Sequence, residues 1–407
     1  MAETTPRYLV MVTSDSNANK YYKMIPHGDS WTAEYGRIGS SPQTRTYSMR
    51  QWTSKYNEKI RKGYADQTDL VKDLIPDEAE ETQPEYKEIE NRVIAEIVSR
   101  LQAMANQAIK ENYTISSDKV TQAMVDEAQL IINGLLEITD DITEFNEALL
   151  RLFTVIPRKM SSVQYYMAKS KEKFAEIITR EQDLLDVMKG QVVQKSQIET
   201  QTQEHKQPVH DTTILEHLGL VFEECSIDDV ALIKTALGSC SDRYHKAWKV
   251  TNLKTQDRFD KFVSDNNIKD VRLLFHGSRN ENWWSIINSG LVLRPTNAVI
   301  TGKLLGYGIY YAPKAQKSLG YTSLSGSYWA HGNSNCGFMA LMNVAYGKPY
   351  DVYTFNSKYG NFTYDILQKE CPGANCVHAH AGSMLRNDEI VIYKEEQCTI
   401  KYLVELR

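Results

Sequence analysis

"LLFHGSRNENWWSIINSGL", residues 273 to 291, decides how the C-terminal half of the chain is read. The apolar run Leu273-Leu274-Phe275 has the character of a buried strand, and it stops at His276. Gly277 and Ser278 follow at once, then a Trp-rich segment of helical spacing that ends at Gly290. Strand, turn and helix therefore meet at a histidine. Two readings are open at this point: a core histidine followed by a turn, or a ligand placed at a strand end. The rest of the chain has to choose.

At 407 residues the chain exceeds what one hydrophobic core organises, so two or three domains are expected. With 42% hydrophobic and 24% charged residues it has the composition of a globular protein rather than a disordered one. No apolar run approaches the ~18 residues that suggest a membrane span. The N-terminus lacks the charged-then-apolar layout of a secretory signal. Six cysteines in so long a chain do not form a disulfide framework, which favours a reducing, intracellular compartment. The net charge of −5 hides a split, because residues 1–65 carry ten basic and five acidic side chains, or +5. An acidic stretch, "DLIPDEAEETQPE", follows. That asymmetry points to a nucleic-acid-facing module on a neutral or acidic body.

Three blocks follow one another. "YLVMVTS", "KYYKMIP" and "SWTAEYGRIG" read as short strands, and "SMRQWTSKYNEKIRKG" as an amphipathic helix with Met49, Trp52, Tyr56 and Ile60 on one stripe. The acidic stretch with Pro76 and Pro84 reads as a linker. From residue 85 the period becomes helical, with Ile89, Val93, Ile97, Leu101 and Met104 on one face. Ser117 is the expected N-cap of the next helix, and Gly190 the expected stop of the last. Residues 191–212, polar and Gln-rich, read as a second connection. Beyond them "AWKVTNL", "VRLLFHG", "YGIYYAP", "FMALMNVAYG" and "EIVIYKE…TIKYLVEL" are strand signals, so the third block is expected to be α+β with mainly antiparallel sheets.

"GKLLGYGIYYAPKAQKSLGY" carries Gly302, Gly306 and Gly308 ahead of a strand. It is not a P-loop, since no Lys-Ser/Thr pair follows at the required spacing. A dinucleotide fingerprint needs a helix after the glycines, and Ile309-Tyr310-Tyr311 is not one.

Taken in order, "FHGSRNENWWSIINSGL", "TGKLLGYGIYYAPKAQKSLGY" and "NDEIVIYKEEQCTIKYLVEL" resemble the signature of the poly(ADP-ribose) polymerases. The resemblance implies an NAD-binding catalytic domain in which His276, Tyr310 and Glu389 fill the catalytic His, Tyr and Glu positions. It also implies that Gly277, Ser278 and Ser318 hold the nicotinamide end. Tyr321 would stack on the ring opposite Tyr310, and Lys317 would lie on the acceptor side. These residue types suit the chemistry. Cleaving the nicotinamide–ribose bond builds oxocarbenium-like charge, which a neighbouring carboxylate such as Glu389 stabilises. His276 is expected to donate to a ribose hydroxyl.

"NANKYYKM…WTAEYGRIG" with its basic helix resembles the WGR domain, which binds DNA ends in members of the family. Tyr35 stands where the name-giving tryptophan is expected, followed by Gly36 and Arg37. Tyr35 can stack on a sugar or base, while Arg37 and Arg45 can reach phosphate. The helical block resembles the family's regulatory domain, which shields the NAD pocket until DNA is bound. The expected architecture is therefore a WGR-like domain over 1–75, a helical domain over 85–195 and a transferase domain over 210–407. The expected activity is a DNA-dependent poly(ADP-ribose) polymerase with NAD as substrate. Its partners would be DNA ends or nicks and protein acceptors including itself, with no membrane partner. It would work in a nucleus, or in the cytoplasm or nucleoid of a bacterium. The rivals are a mono-ADP-ribosyltransferase and a non-catalytic nucleic-acid-binding scaffold. "CPGANCVHAH" offers Cys371, Cys376, His378 and His380, but their spacing fits no common zinc module, so no metal is expected.

Overall fold

A computed structural model of the chain describes residues 5–70, 86–113, 120–205, 211–293, 304–354, 356–382 and 385–407. The chain divides into two compact units, one of residues 1–82 with 108–192, the other of 83–107 with 193–407.

In the first unit, β1 (Arg7–Thr13), β2 (Ala18–His27), β3 (Ser30–Arg37), β4 (Gln43–Ser48) and β5 (Ala65–Asp66) form one sheet ordered β4-β3-β2-β1-β5. Its strands alternate buried and open positions, as a sheet with one covered face requires. Leu9, Tyr22, Met24, Trp31 and Ala33 form the covered core, onto which Met49, Trp52 and Tyr56 pack from the side of α1 (Trp52–Arg61). Ile60, expected on that stripe, is exposed instead.

Helices fill the rest of this unit. Thr121 caps α3 (Gln122–Leu135), its hydroxyl accepting from the Met124 amide. The expected cap, Ser117, lies outside the described residues, as do Pro76, Pro84 and Gly302. Asp141 caps α4 (Ile142–Val155) by accepting from the Thr143 and Glu144 amides. Phe145 stacks on Phe174, the first residue of α5 (Phe174–His205), with ring centroids 3.8 Å apart. That helix runs through Gly190 instead of ending there, and takes in most of the segment read as a connection. Gly190 is buried inside the helix, where a single glycine is tolerated at a cost of about 1 kcal/mol relative to alanine. Arg158 and Glu181 form a buried ion pair at 2.7 Å, and the guanidinium lies over the Tyr113 ring.

The second unit begins with the N-terminal part of α2 (Arg92–Asn112). Its buried stripe is Ile94, Ile97, Val98, Leu101 and Ala105, one position round from the expected face. Two sheets follow. The larger joins β6 (Leu220–Glu224), β7 (Tyr244–Asn252), β8 (Val271–Gly277), β10 (Gly337–Ala345) and β14 (Cys398–Leu406) in the order β6-β7-β14-β10-β8, every neighbour antiparallel. The smaller joins β9 (Ile309–Tyr311), β11 (Pro349–Val352), β12 (Cys376–Ala379) and β13 (Glu389–Ile392) in the order β11-β12-β13-β9, with one parallel pair, β11–β12. Arg100 of α2 grips buried Glu405 of β14 through both carboxylate oxygens, at 3.0 and 3.1 Å. The α+β class with mainly antiparallel sheets is as the sequence indicates. β4, β6 and β11 gave no clear sequence signal, because they are short and, in β4, almost wholly exposed.

Candidate active site

The two sheets of the second unit meet where the opening motif lies. Phe275 and Ala312 exchange backbone hydrogen bonds of 2.9 and 3.0 Å, stitching β8 to the end of β9. One residue on, His276 closes the junction by donating from Nδ1 to the Tyr310 carbonyl at 3.1 Å. A carbonyl has no hydrogen to give, so Nδ1 carries the proton. Burial pulls the imidazole below its ordinary pKa, against the opposing pull of that hydrogen bond. The neutral ring then presents Nε2 as an acceptor, where the sequence suggested a donor.

Gly277 is required by a close approach. A Cβ built there would lie 2.0 Å from the Ser318 carbonyl oxygen, which no side chain can share. Ser318 belongs to α7 (Ala315–Leu319), the short helix after β9. Its buried hydroxyl donates to the Phe275 carbonyl at 3.2 Å and keeps lone pairs for another donor. Ser278 lies in the turn beyond, accepting from the Asn282 side chain at 3.1 Å. α6 (Trp283–Ser289) follows, with both tryptophans fully buried, and ends at Gly290 as its spacing indicated.

The carboxylate enters from β13. Glu389 heads that strand and is 5% exposed. Its Oε1 pairs with Lys317 Nζ at 2.6 Å, and Lys317 is the neighbour of Ser318. Two residues along β13, Val391 stands opposite Tyr310, so strand alternation puts Tyr310 on the Glu389 face. Tyr310 turns its hydroxyl onto the Gly306 carbonyl at 2.8 Å. Gly306 adopts φ +76°, a conformation suited to glycine, and a Cβ there would strike the Phe362 backbone. Tyr321 has its phenol pushed up to about 12, by burial first and the Glu389 charge second. A circuit of contacts is thereby closed: Phe275 to Ala312 and His276 to Tyr310, Tyr310 across from Val391, Glu389 to Lys317, and Ser318 back to Phe275.

Sequence reading missed the residues that brace this circuit. Asn280 donates its backbone amide to Ser323 Oγ at 2.9 Å and its side chain to the Cys336 carbonyl at 3.1 Å, pinning the loop after Ser278. Trp329 stacks on Tyr321 with centroids 6.2 Å apart. Neither carries a motif, and no local spacing reveals them.

The expected DNA-facing residues lie in the first unit. Tyr35 is partly buried and stacks on Tyr22 at 5.6 Å. Gly36 follows it in β3. Arg37 donates to the carbonyls of Asn17 (2.8 Å), Met160 (3.1 Å) and Ser161 (3.2 Å). Arg45 is exposed on β4, over the Tyr47 ring. On α1, Glu58 pairs with both Lys55 and Lys62, and the Lys59 ammonium lies 4.0 Å from the Tyr22 ring centroid.

Among the described residues no helix is long and apolar enough to cross a membrane. The sequence matches the family of the poly(ADP-ribose) polymerase catalytic domain over residues 228–407 and that of the WGR domain over residues 5–71. A putative poly [ADP-ribose] polymerase-like protein 100L of Invertebrate iridescent virus 6 is 33% identical, over 40% of this chain and 84% of its own length. Protein 101L of the same virus is 30% identical, over 45% of this chain and 76% of its own length. Poly [ADP-ribose] polymerase 2 of Arabidopsis thaliana is 20% identical across 98% of this chain and 70% of its own length. The chain belongs to the poly(ADP-ribose) polymerase family and is an ADP-ribosyltransferase that uses NAD as its substrate.

Proposed function

We propose that the chain is a DNA-dependent poly(ADP-ribose) polymerase of the DNA-damage response, built from a DNA-binding part (1–75), a helical regulatory part (85–195) and a transferase part (210–407). The observation that carries the catalytic half is the circuit joining His276, Tyr310, Ser318, Lys317 and Glu389. In this reading the nicotinamide ring lies between Tyr310 and Tyr321, a pair suited to a flat aromatic cation. Its carboxamide meets the Gly277 backbone and donates to Ser318 Oγ, with Ser278 at the rim. His276 Nε2 accepts from a ribose hydroxyl and holds the sugar still.

The bond between ribose C1′ and the nicotinamide nitrogen then breaks. Its electron pair goes to the ring, which leaves as a neutral amide. Positive charge builds on the sugar, and the Glu389 carboxylate stabilises it from close by. An acceptor oxygen bonds to C1′, and its proton passes by way of the Glu389 carboxylate to solvent. When the acceptor is the ribose of an ADP-ribose already attached, Glu389 is the group that accepts a hydrogen bond from it and so favours extension. Lys317 fixes the carboxylate through Oε1 and marks the acceptor side.

DNA dependence rests on the WGR match and on the excess of basic residues in the first block. Arg45 is the exposed cation of the expected set. Tyr35, Gly36 and Arg37 lie on the neighbouring strand. Arg37, tied to the carbonyls of residues 160 and 161, gives an event on the sheet a direct route to the helical part.

Purified protein with labelled NAD, with and without nicked DNA, tests the reading. Nicotinamide release and a ladder of polymer that grow with DNA and weaken with salt are expected. A single transferred unit would reduce the activity to mono-ADP-ribosylation. Equal turnover without DNA would remove the switch, and no release with intact DNA binding would leave only a scaffold.

A further inference from the structure

A second cluster of chemically active side chains lies on the opposite face of the smaller sheet. His378 sits on β12 and His380 just past its end, where the His380 amide continues the ladder to the Val352 carbonyl at 2.8 Å. Two residues apart on extended backbone, their side chains share a face. The two imidazoles stack with centroids 3.9 Å apart. Asp351, on the parallel neighbour β11, stands opposite His378 and adds a carboxylate. One ligand atom from each of Asp351, His378 and His380 lies within 4.8 Å of the others.

The rings are held in place by what surrounds them. His378 meets the Tyr346 hydroxyl at 2.7 Å through Nδ1 and Asp388 at 3.1 Å through Nε2. Asp388 is itself fixed, accepting from the Ala381 amide at 2.8 Å. His380 approaches Asp351 at 2.7 Å and stacks on Tyr353 with centroids 4.4 Å apart. Two imidazoles beside two carboxylates form a donor set of net negative charge, and a carboxylate on a ligating histidine is the usual way such a ring is oriented.

We propose that Asp351, His378 and His380 bind a divalent transition-metal ion of the zinc class, with Asp388 orienting His378. Mixed imidazole and carboxylate donors suit zinc, copper or nickel better than magnesium or calcium. Ligands about 2.0–2.2 Å from zinc in a tetrahedron stand roughly 3.3 Å apart. With Asp388 kept on His378 Nε2, the ion would take His378 Nδ1 in place of the Tyr346 hydroxyl and would replace the proton between His380 Nε2 and Asp351. The cysteines that drew attention in the sequence play no part. Cys376 is buried and turns its thiol to the Tyr346 carbonyl, while Cys371 is outside the cluster.

The role is structural. Ala379, not a histidine, stands opposite Glu389, so the ion would sit behind the sheet rather than in the active site. There it would tie edge strand β11 to β12 and steady Asp388, the residue before Glu389.

The test is metal binding by the full chain after chelator treatment. Zinc is titrated in competition with a chromophoric chelator, and cobalt is followed by its absorption spectrum. One zinc per chain is expected, a rise in melting temperature with it, and a cobalt spectrum without sulfur-to-metal charge transfer. Asp351→Asn and His380→Gln, both at partly exposed positions, should each weaken binding at least ~10-fold, and Asp388→Asn by about 10–100-fold. Folding of each variant is checked by circular dichroism. Equal affinity in the folded variants, sulfur bands in the cobalt spectrum, or no saturable binding by the wild-type chain would overturn the proposal.

Discussion

The transferase motifs and the WGR motif contrast in what their side chains are bonded to. In the second unit, polar residues picked out by sequence contact one another across two sheets: His276 with the Tyr310 backbone, Lys317 with Glu389, Ser318 with Phe275. In the first unit, Tyr35 packs on Tyr22, Arg37 is spent on three backbone carbonyls, and Lys55 and Lys62 share Glu58. Arg45 stands exposed. A pocket has to be preorganised to work, so its motif residues hold one another. A nucleic-acid surface has to stay open, so a motif residue with its donors committed is acting on the protein.

The largest effect should come from Glu389. Replacing it by Gln should slow nicotinamide release by ~10²–10³, the loss of one oriented electrostatic group, and abolish chain extension. Polymer of normal length from that variant would remove its role. Next comes Gly277→Ala, whose new Cβ meets the Ser318 carbonyl. Overpacking of that kind costs about 1–3 kcal/mol, read as a lower denaturation midpoint together with a higher KM for NAD. An unchanged midpoint would mean that the junction is looser than described.

His276 sharpens the comparison through pH. Because its folded pKa lies below the ordinary 6.5, the ring stays neutral until pH falls beneath that value. Turnover that needs Nε2 as an acceptor should therefore fall about tenfold per unit only on the acid side of 6.5. Stability follows the same sign: the unfolded chain binds the proton more readily, so folding weakens as pH drops below the unfolded pKa, through the folded one. An acid limb above 6.5 that His276→Ala leaves in place would assign it to another group.

The smallest effect separates two arginines. Arg45→Ala should weaken DNA binding uniformly across sequences and lower the salt slope by about 1, with stability unchanged. Arg37→Ala should instead lower stability, since hydrogen bonds from a charged group contribute about 1.5–3 kcal/mol. The reverse pattern would exchange their roles.

The strand carrying His276, the helix ending at Gly290 and the antiparallel character of the C-terminal block were legible because periodicity and glycine placement are local signals. The three segments meeting at His276, Tyr310 and Glu389 were legible only as a family signature. Nothing local in the chain says that Phe275 pairs with Ala312. Gly190 misled because a helix can run through an isolated glycine at modest cost. Asp351 was invisible beside His378 and His380 because a parallel strand pair joins residues far apart in sequence. Asn280 and Trp329 act through tertiary contacts that no spacing encodes.

The most direct measurement is a crystal structure with a non-hydrolysable NAD analogue. The nicotinamide should lie between Tyr310 and Tyr321, with its carboxamide at Gly277 and Ser318, a ribose hydroxyl on His276 Nε2, and the Glu389 carboxylate within hydrogen-bond reach of that ribose. An analogue bound elsewhere, or bound there with Glu389 out of contact, would contradict it.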